Sequence, residues 1–310
     1  MSFSSNAKGE IARRKLVGPD SARSACYGMA CFAKYFDARG VVIQTEAETV
    51  AKYARKMFSR CGVEGEIVER LRHSGGKTYE YAVKDAAQVN ALHALLGTTG
   101  DTVALQIDPA LLRGPDGVRA FVAGAFLCGG TATDPQKEYS LEFVTSRTTL
   151  ARDFEALLAE HEFAPHRTRR KGVNLVYVKA SEHVEDLLTF MGASEASMLL
   201  MQEKALKSVR NRVNRQSNCD TANLSKTAAA YGSAMKAIRY LQDEGKLEAL
   251  PEALQQVARA RMENPGFTLS QLAETFTPPL SKSGLSHRIK KLERLAAELQ
   301  ARKANTTQDE

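Results

Sequence analysis

The feature that most constrains this chain is an internal repeat, because residues 20–97 and 115–192 pass through six elements in one shared order. Each copy opens on an apolar helix rich in small residues, Ser24–Phe36 and then Val118–Cys128. A strand follows, Val41–Thr45 and Tyr139–Thr145, and then an amphipathic helix, Glu48–Cys61 and Leu150–His161. Thr45 and Glu48 stand at capping-box spacing at the start of the first of these helices. A hairpin comes next. In the first copy Glu66–Arg72 turns at Ser74-Gly75-Gly76 into Lys77–Val83; in the second Ala164–Arg170 turns near Lys171-Gly172 into Val173–Lys179. A short helix closes each copy and stops at a glycine, Gly97 and Gly192. Thr45 matches Thr145, and Tyr81 matches Tyr177 with a slightly different offset.

The rest of the 310 residues divides around this duplication. We read 1–19 as an N-terminal segment, 20–97 and 98–193 as the two repeats and 194–250 as a helical basic linker. Residues 251–302 follow as a small helical domain, and 303–310 as a polar tail. With 43% hydrophobic residues the chain buries a sizeable core, and its net charge of +7 favours a polyanionic partner. Cys26, Cys31, Cys61, Cys128 and Cys219 are odd in number and form no CxxC pair. That pattern argues against a zinc knuckle or a disulfide framework and for buried thiols in a reducing cytosol. No apolar run spans a bilayer, and Met1-Ser-Phe-Ser-Ser-Asn lacks the order of a signal peptide, so a cytoplasmic protein is expected, away from membranes.

The small helical domain has the marks of a helix-turn-helix between Thr268 and Leu295. Thr268-Leu-Ser-Gln271 has capping-box spacing, and Leu269, Leu272, Ala273 and Phe276 lie on one helical face. Thr277-Pro-Pro-Leu280 breaks that helix, since proline has no amide to donate. Ser281 caps a second helix whose Leu285, Ile289, Leu292 and Leu295 point inward. Its outward residues, Lys282, Ser283, Ser286, His287, Arg288, Lys290, Lys291 and Arg294, offer donors to base edges and phosphates. Further basic residues cluster at the second hairpin (His166, Arg167, Arg169, Arg170, Lys171), at the first (Arg70, Arg72, His73, Lys77) and in the linker (Lys204, Lys207, Arg210, Arg212, Arg215). Of these, Arg167, Arg169, Arg170, Lys171, Arg210, Arg212 and Arg215 are candidates for additional DNA contacts.

Val122-Ala-Gly-Ala-Phe-Leu-Cys-Gly-Gly130 resembles the LAGLIDADG motif of homing endonucleases, with Tyr27–Tyr35 as a more degenerate first copy. The resemblance implies two helices packed through small residues beneath a saddle of strands. It also implies a metal-binding acid at the eighth motif position of each helix, but those positions fall on Lys34 and Gly129. Asp37 and Asp134 lie a few residues beyond. We therefore expect no metal, no cofactor and no catalytic residue; an active endonuclease with relocated ligands is the alternative.

Met1-Ser-Phe-Ser, Ala123–Phe126 with Gly129-Gly130, Asn211-Arg-Val-Asn-Arg215 running into Asn218–Asn223, and Pro278–Arg288 form a set spread along the chain. With these stretches nearly all of the chain resembles the WhiA family. It implies an α+β fold of duplicated LAGLIDADG-like αββ-type repeats forming a mixed α/β saddle, followed by an all-α helix-turn-helix domain. It also implies a non-enzymatic, nucleoid-associated regulator of transcription, cell division, sporulation and chromosome segregation. Its expected partners are double-stranded DNA and, by the family's habit, a WhiB-type iron–sulfur regulator. The repeats are alternatively a platform for protein or small-ligand binding.

Overall fold

The computed structural model describes residues 2–16, 18–71, 75–100 and 104–306. The duplication is real, and each copy is an αββαββα unit. The first runs α2 (Pro19–Cys31), β1 (Tyr35–Asp37), β2 (Gly40–Thr45), α3 (Glu48–Arg60), β3 (Glu66–Leu71), β4 (Lys77–Val83) and α4 (Ala86–Leu96). The second runs α5 (Gly117–Gly129), β5 (Gly130–Ala132), β6 (Leu141–Thr145), α6 (Thr148–Glu160), β7 (His166–Arg170), β8 (Val173–Val178) and α7 (Ser181–Met191). Each copy folds a four-stranded antiparallel sheet, ordered β1-β2-β4-β3 and β5-β6-β8-β7. The short strands β1 and β5 escape the sequence reading, because three residues are too few to show an alternating pattern.

Local signals are met unevenly. Gly97 and Gly192 take left-handed conformations and end α4 and α7 as expected. Thr45 does not cap α3, whose first flanking residue is Ala47; its hydroxyl accepts instead from the Ala47 amide at 3.2 Å. Thr145 accepts from the Arg147 amide at the same distance, so this is a turn shared by both copies. With those threonines aligned, Ile43 opposite Tyr81 corresponds to Phe143 opposite Val176. Tyr81 therefore matches Val176, and Tyr177 matches Ala82, one residue away from the expected equivalence.

The core is built on the crossing of α2 and α5. A Cβ on Gly28 would stand 2.0 Å from the Phe121 carbonyl oxygen and 3.0 Å from the Ala125 amide. One on Gly124 would stand 2.4 Å from the Ala25 oxygen and 3.0 Å from the Met29 amide. The contacts are reciprocal, as a pseudo-two-fold between the copies requires, and only glycine admits so close a backbone approach. Phe32, Phe143 and Phe154 pack edge-to-face behind the crossing.

Residues 1–19 hold an unforeseen helix, α1 (Phe3–Arg13), which buries Phe3, Ala7 and Ile11 in this core. Those residues are four apart, a helical spacing visible in the sequence. Ser2 caps α1, and Glu10 accepts the Glu195 and Ala196 amides at 2.7 and 3.1 Å, at the start of α8 (Ser194–Asp243). The five cysteines are free, and Cys26 and Cys31 are buried as expected. Cys61 and Cys128 are half-buried, and Cys219 is exposed.

The chain divides into two compact units, residues 1–208 and 209–310, with the division inside α8. In the second unit the last turns of α8 bury Ala234, Ala237, Ile238 and Leu241 against α9 (Glu252–Glu263), α10 (Leu269–Glu274) and α11 (Lys282–Thr306). The end of the presumed linker is thus core.

Candidate nucleic-acid interface

Helices α10 and α11 form the expected helix-turn-helix pair. Thr268 and Gln271 complete a reciprocal capping box, which sets where α10 begins. The turn closes when Leu280 donates to the Ala273 carbonyl at 3.0 Å, and Ser281 caps α11 by accepting the Gly284 amide at 3.1 Å. Leu285, Ile289, Leu292 and Ala296 are buried beneath α11, while Leu295 lies at the edge. Arg261 of α9 fixes the approach to α10. It is only 3% exposed, donates to the Phe267 carbonyl and lies 4.7 Å from the ring centre of Tyr231 on α8. Nothing local in the sequence marks it, because an arginine on the charge-balanced α9 looks solvated.

Helical geometry sorts the eight candidate residues of α11 into faces. Ser283, His287, Lys290, Lys291 and Arg294 are exposed and point away from the buried stripe. Arg288 flanks the stripe on one side and is half-buried. Lys282 and Ser286 flank it on the other, and with Lys290 they line a groove of about 480 Å³ together with residues of α8, α9 and α10. Arg294 pairs with Glu298 at 3.6 Å. Among the described residues, Lys282, Lys290, Lys291 and Arg288 have no ion-pair partner.

The other basic clusters differ in how far their charge is already committed. At the first hairpin Arg70 pairs with Glu80 at 2.9 Å and Lys77 with Glu69 at 2.8 Å; Arg72 and His73 lie outside the described residues. At the second, Arg167 pairs with Glu155 at 2.8 Å, while Arg169, Arg170 and Lys171 are exposed without an ion-pair partner among the described residues. On α8, Lys204 is held by Glu182 and Glu185. Arg210, Arg212 and Arg215 are exposed, and Arg215 donates to the Asn211 carbonyl at 3.4 Å.

The nuclease metal site implied by the motif does not fit these residues. The reciprocal Gly28–Gly124 crossing makes Ala33, one residue before Lys34, the counterpart of Gly129. Neither has a carboxylate, and a Cβ at Gly129 would meet Phe32 and the Val144 carbonyl at 2.9 Å. Lys34 pairs with Glu80 at 3.6 Å. Arg147 occupies the end of the first motif helix, donating to the Cys31 and Phe36 carbonyls at 3.1 and 2.8 Å. Asp37 is engaged by Arg39, whose hydrogen bonds hold its carboxyl below the ordinary range, and Asp134 accepts the Gln136 amide in a turn. Among the described residues no group of three or more His, Cys, Asp or Glu side chains could hold a metal ion.

Comparison with known proteins places this architecture. Family models match residues 118–210 as a WhiA LAGLIDADG-like domain and 213–296 as a WhiA C-terminal HTH domain. The chain is 31% identical to the probable cell division protein WhiA of Clostridium beijerinckii, over 98% of this chain and 100% of that one. The chain belongs to the WhiA family. A Clostridium perfringens WhiA is 32% identical over 96% of this chain and 98% of that protein. The full-length DUF199/WhiA crystal structure from Thermatoga maritima has a TM-score of 0.58 at 20% identity, covering 96% of this chain and 99% of that one. The N-terminal LAGLIDADG domain of DUF199/WhiA scores 0.51 at 15% identity, covering 62% and 90%. The WhiA fold therefore extends over both units, and no helix among the described residues is long and apolar enough to cross a membrane.

Proposed function

We propose that this WhiA-family chain is a sequence-specific DNA-binding regulator without nuclease activity, acting in transcription, cell division, sporulation and chromosome segregation at the nucleoid. The observation that carries the reading is the outer face of α11, where Ser283, His287, Lys290 and Lys291 stand exposed on a doubly capped helix pair. Ser283 and His287 take the base-reading role, and Lys290, Lys291 and Arg294, with Lys282, Ser286 and Arg288 at the flanks, hold phosphates. Arg169, Arg170, Lys171, Arg210, Arg212 and Arg215 add sequence-independent phosphate contacts, and Arg167 joins them on release from Glu155.

The double variant Arg288→Ala/Lys291→Ala tests this assignment. Each phosphate contact removed lowers the slope of log affinity against log salt by about 0.9, so a fall of up to about 1.8 is expected with weaker promoter binding. Unchanged affinity and slope would remove Arg288 and Lys291 from the interface.

Lack of nuclease activity is supported by Ala33 and Gly129 at the motif's acid positions and by Arg147 beside them. Incubation of the protein with plasmid and cognate DNA plus Mg²⁺ or Mn²⁺ is expected to leave both intact; cleavage abolished by Asp37→Ala or Asp134→Ala would reverse the reading. A WhiB-type iron–sulfur regulator is the protein partner implied by family resemblance, and co-purification with such a protein is the check.

A further inference from the structure

The groove beside α11 has walls from four helices. α11 supplies Lys282, Ser286 and Lys290, α10 supplies Ser270 next to its cap Thr268, and α8 supplies Lys226 and Thr227. α9 adds a fourth cation, Arg261, and among the described residues Glu293 is the only acid that lines the groove. Two other lysines are tied down, Lys204 to Glu182 and Lys303 to Glu244. Among the described residues Lys226, Lys282 and Lys290 have no ion-pair partner. Their excess positive charge and the surrounding hydroxyls match the oxygens of a phosphodiester chain, which lysines and Ser/Thr side chains hold without reading sequence. The start of the 25-residue α11 lies at the same groove and contributes the partial positive charge of a helix N-terminus.

We infer that this groove holds one backbone strand of the bound duplex, and that Lys226 grips it from α8 while Lys282 and Lys290 grip it from α11. The inference rests on the DNA-binding reading above and adds a contact from a helix outside the helix-turn-helix. A strand held on this flank sets the rotation of α11 over the bases, so Lys226 is a positioning residue for Ser283 and His287.

The test is Lys226→Ala in the full-length chain, titrated against a specific and a non-specific duplex at several salt concentrations. Lys226 is exposed, so the variant is expected to fold. Both duplexes should bind more weakly by a similar factor, about five- to tenfold, and the salt slope should fall by about 0.9. Glu293→Gln, which removes the opposing charge, should tighten both. Lys236→Ala, exposed on the same helix but not among the groove's lining residues, should change neither. Wild-type affinity and slope in Lys226→Ala overturn the inference, as does an equal loss in Lys236→Ala. A loss confined to the specific duplex also overturns it, since Lys226 would then read a base. Lys226-dependent thermal protection by inorganic phosphate, with the DNA slope unchanged, would assign the groove to a small anion instead. Normal binding by Arg288→Ala/Lys291→Ala alongside weakened binding by Lys226→Ala would sink the assignment of those two side chains and spare the groove; the opposite pattern would do the reverse.

Discussion

Arg147 ties one repeat to the other at the end of the first motif helix. A guanidinium that donates to the Cys31 and Phe36 carbonyls supplies fixed positive charge at the end of α2, where the nuclease motif calls for carboxylates around a divalent ion. It is half-buried and reaches from one repeat to the other, so its loss leaves carbonyls of the other copy short of a donor. Arg147→Met keeps the apolar stem and removes the charge-assisted hydrogen bonds. Urea denaturation of that variant should show a loss of about 2–3 kcal/mol, and an unchanged midpoint would mean that Arg147 is dispensable. The sequence places Arg147 only at the start of a helix; its partners lie more than a hundred residues earlier, and nothing local announces them.

At the level of elements, the α2–α5 crossing decides what the repeats tolerate. Gly28 and Gly124 look like ordinary small residues in the sequence, yet each meets the opposing backbone directly. Gly28→Ala should lower stability by about 1–3 kcal/mol or more through overpacking. Gly9, in the interior of α1 with nothing within 4 Å of an added Cβ, gives the contrast: Gly9→Ala should stabilise by about 0.5–1 kcal/mol. Thermal melts of the two variants should move in opposite directions, and a shared direction would refute the distinction. The helix-turn-helix was legible at this scale because its signals are local: Thr268 with Gln271, the Pro278-Pro279 break, and Ser281. The groove was not, because Lys226 and Lys282 come together only when α8 and α11 pack into one core.

For the whole molecule, the two units keep separate hydrophobic clusters with no residue in common. The first gathers α1 with both repeats, and the second gathers the end of α8 with α9, α10 and α11. Independent cores unfold independently, so two calorimetric transitions are expected. Leu272→Ala, which opens a cavity in the second core, should lower one transition by an amount corresponding to about 2–5 kcal/mol and leave the other in place. A single transition that shifts as a whole would show that the units melt together.

The sequence by itself determined the order of elements, the duplication, the capped helix pair and the missing motif acids, since each is written in spacing along a few neighbouring residues. It missed β1, β5 and α1, elements whose patterns are short or sit in a segment assigned no role. Only the tertiary structure decided which residues meet across the chain. It shifted the motif equivalence from Lys34 to Ala33, turned Thr45 from a cap into a turn, and set Tyr81 opposite Ile43 as the counterpart of Val176. It also brought Lys226 to the groove beside α11. The physical reason is the same in each case: strand register, helix crossing and charge convergence depend on distances between segments remote in sequence, which local periodicity does not encode.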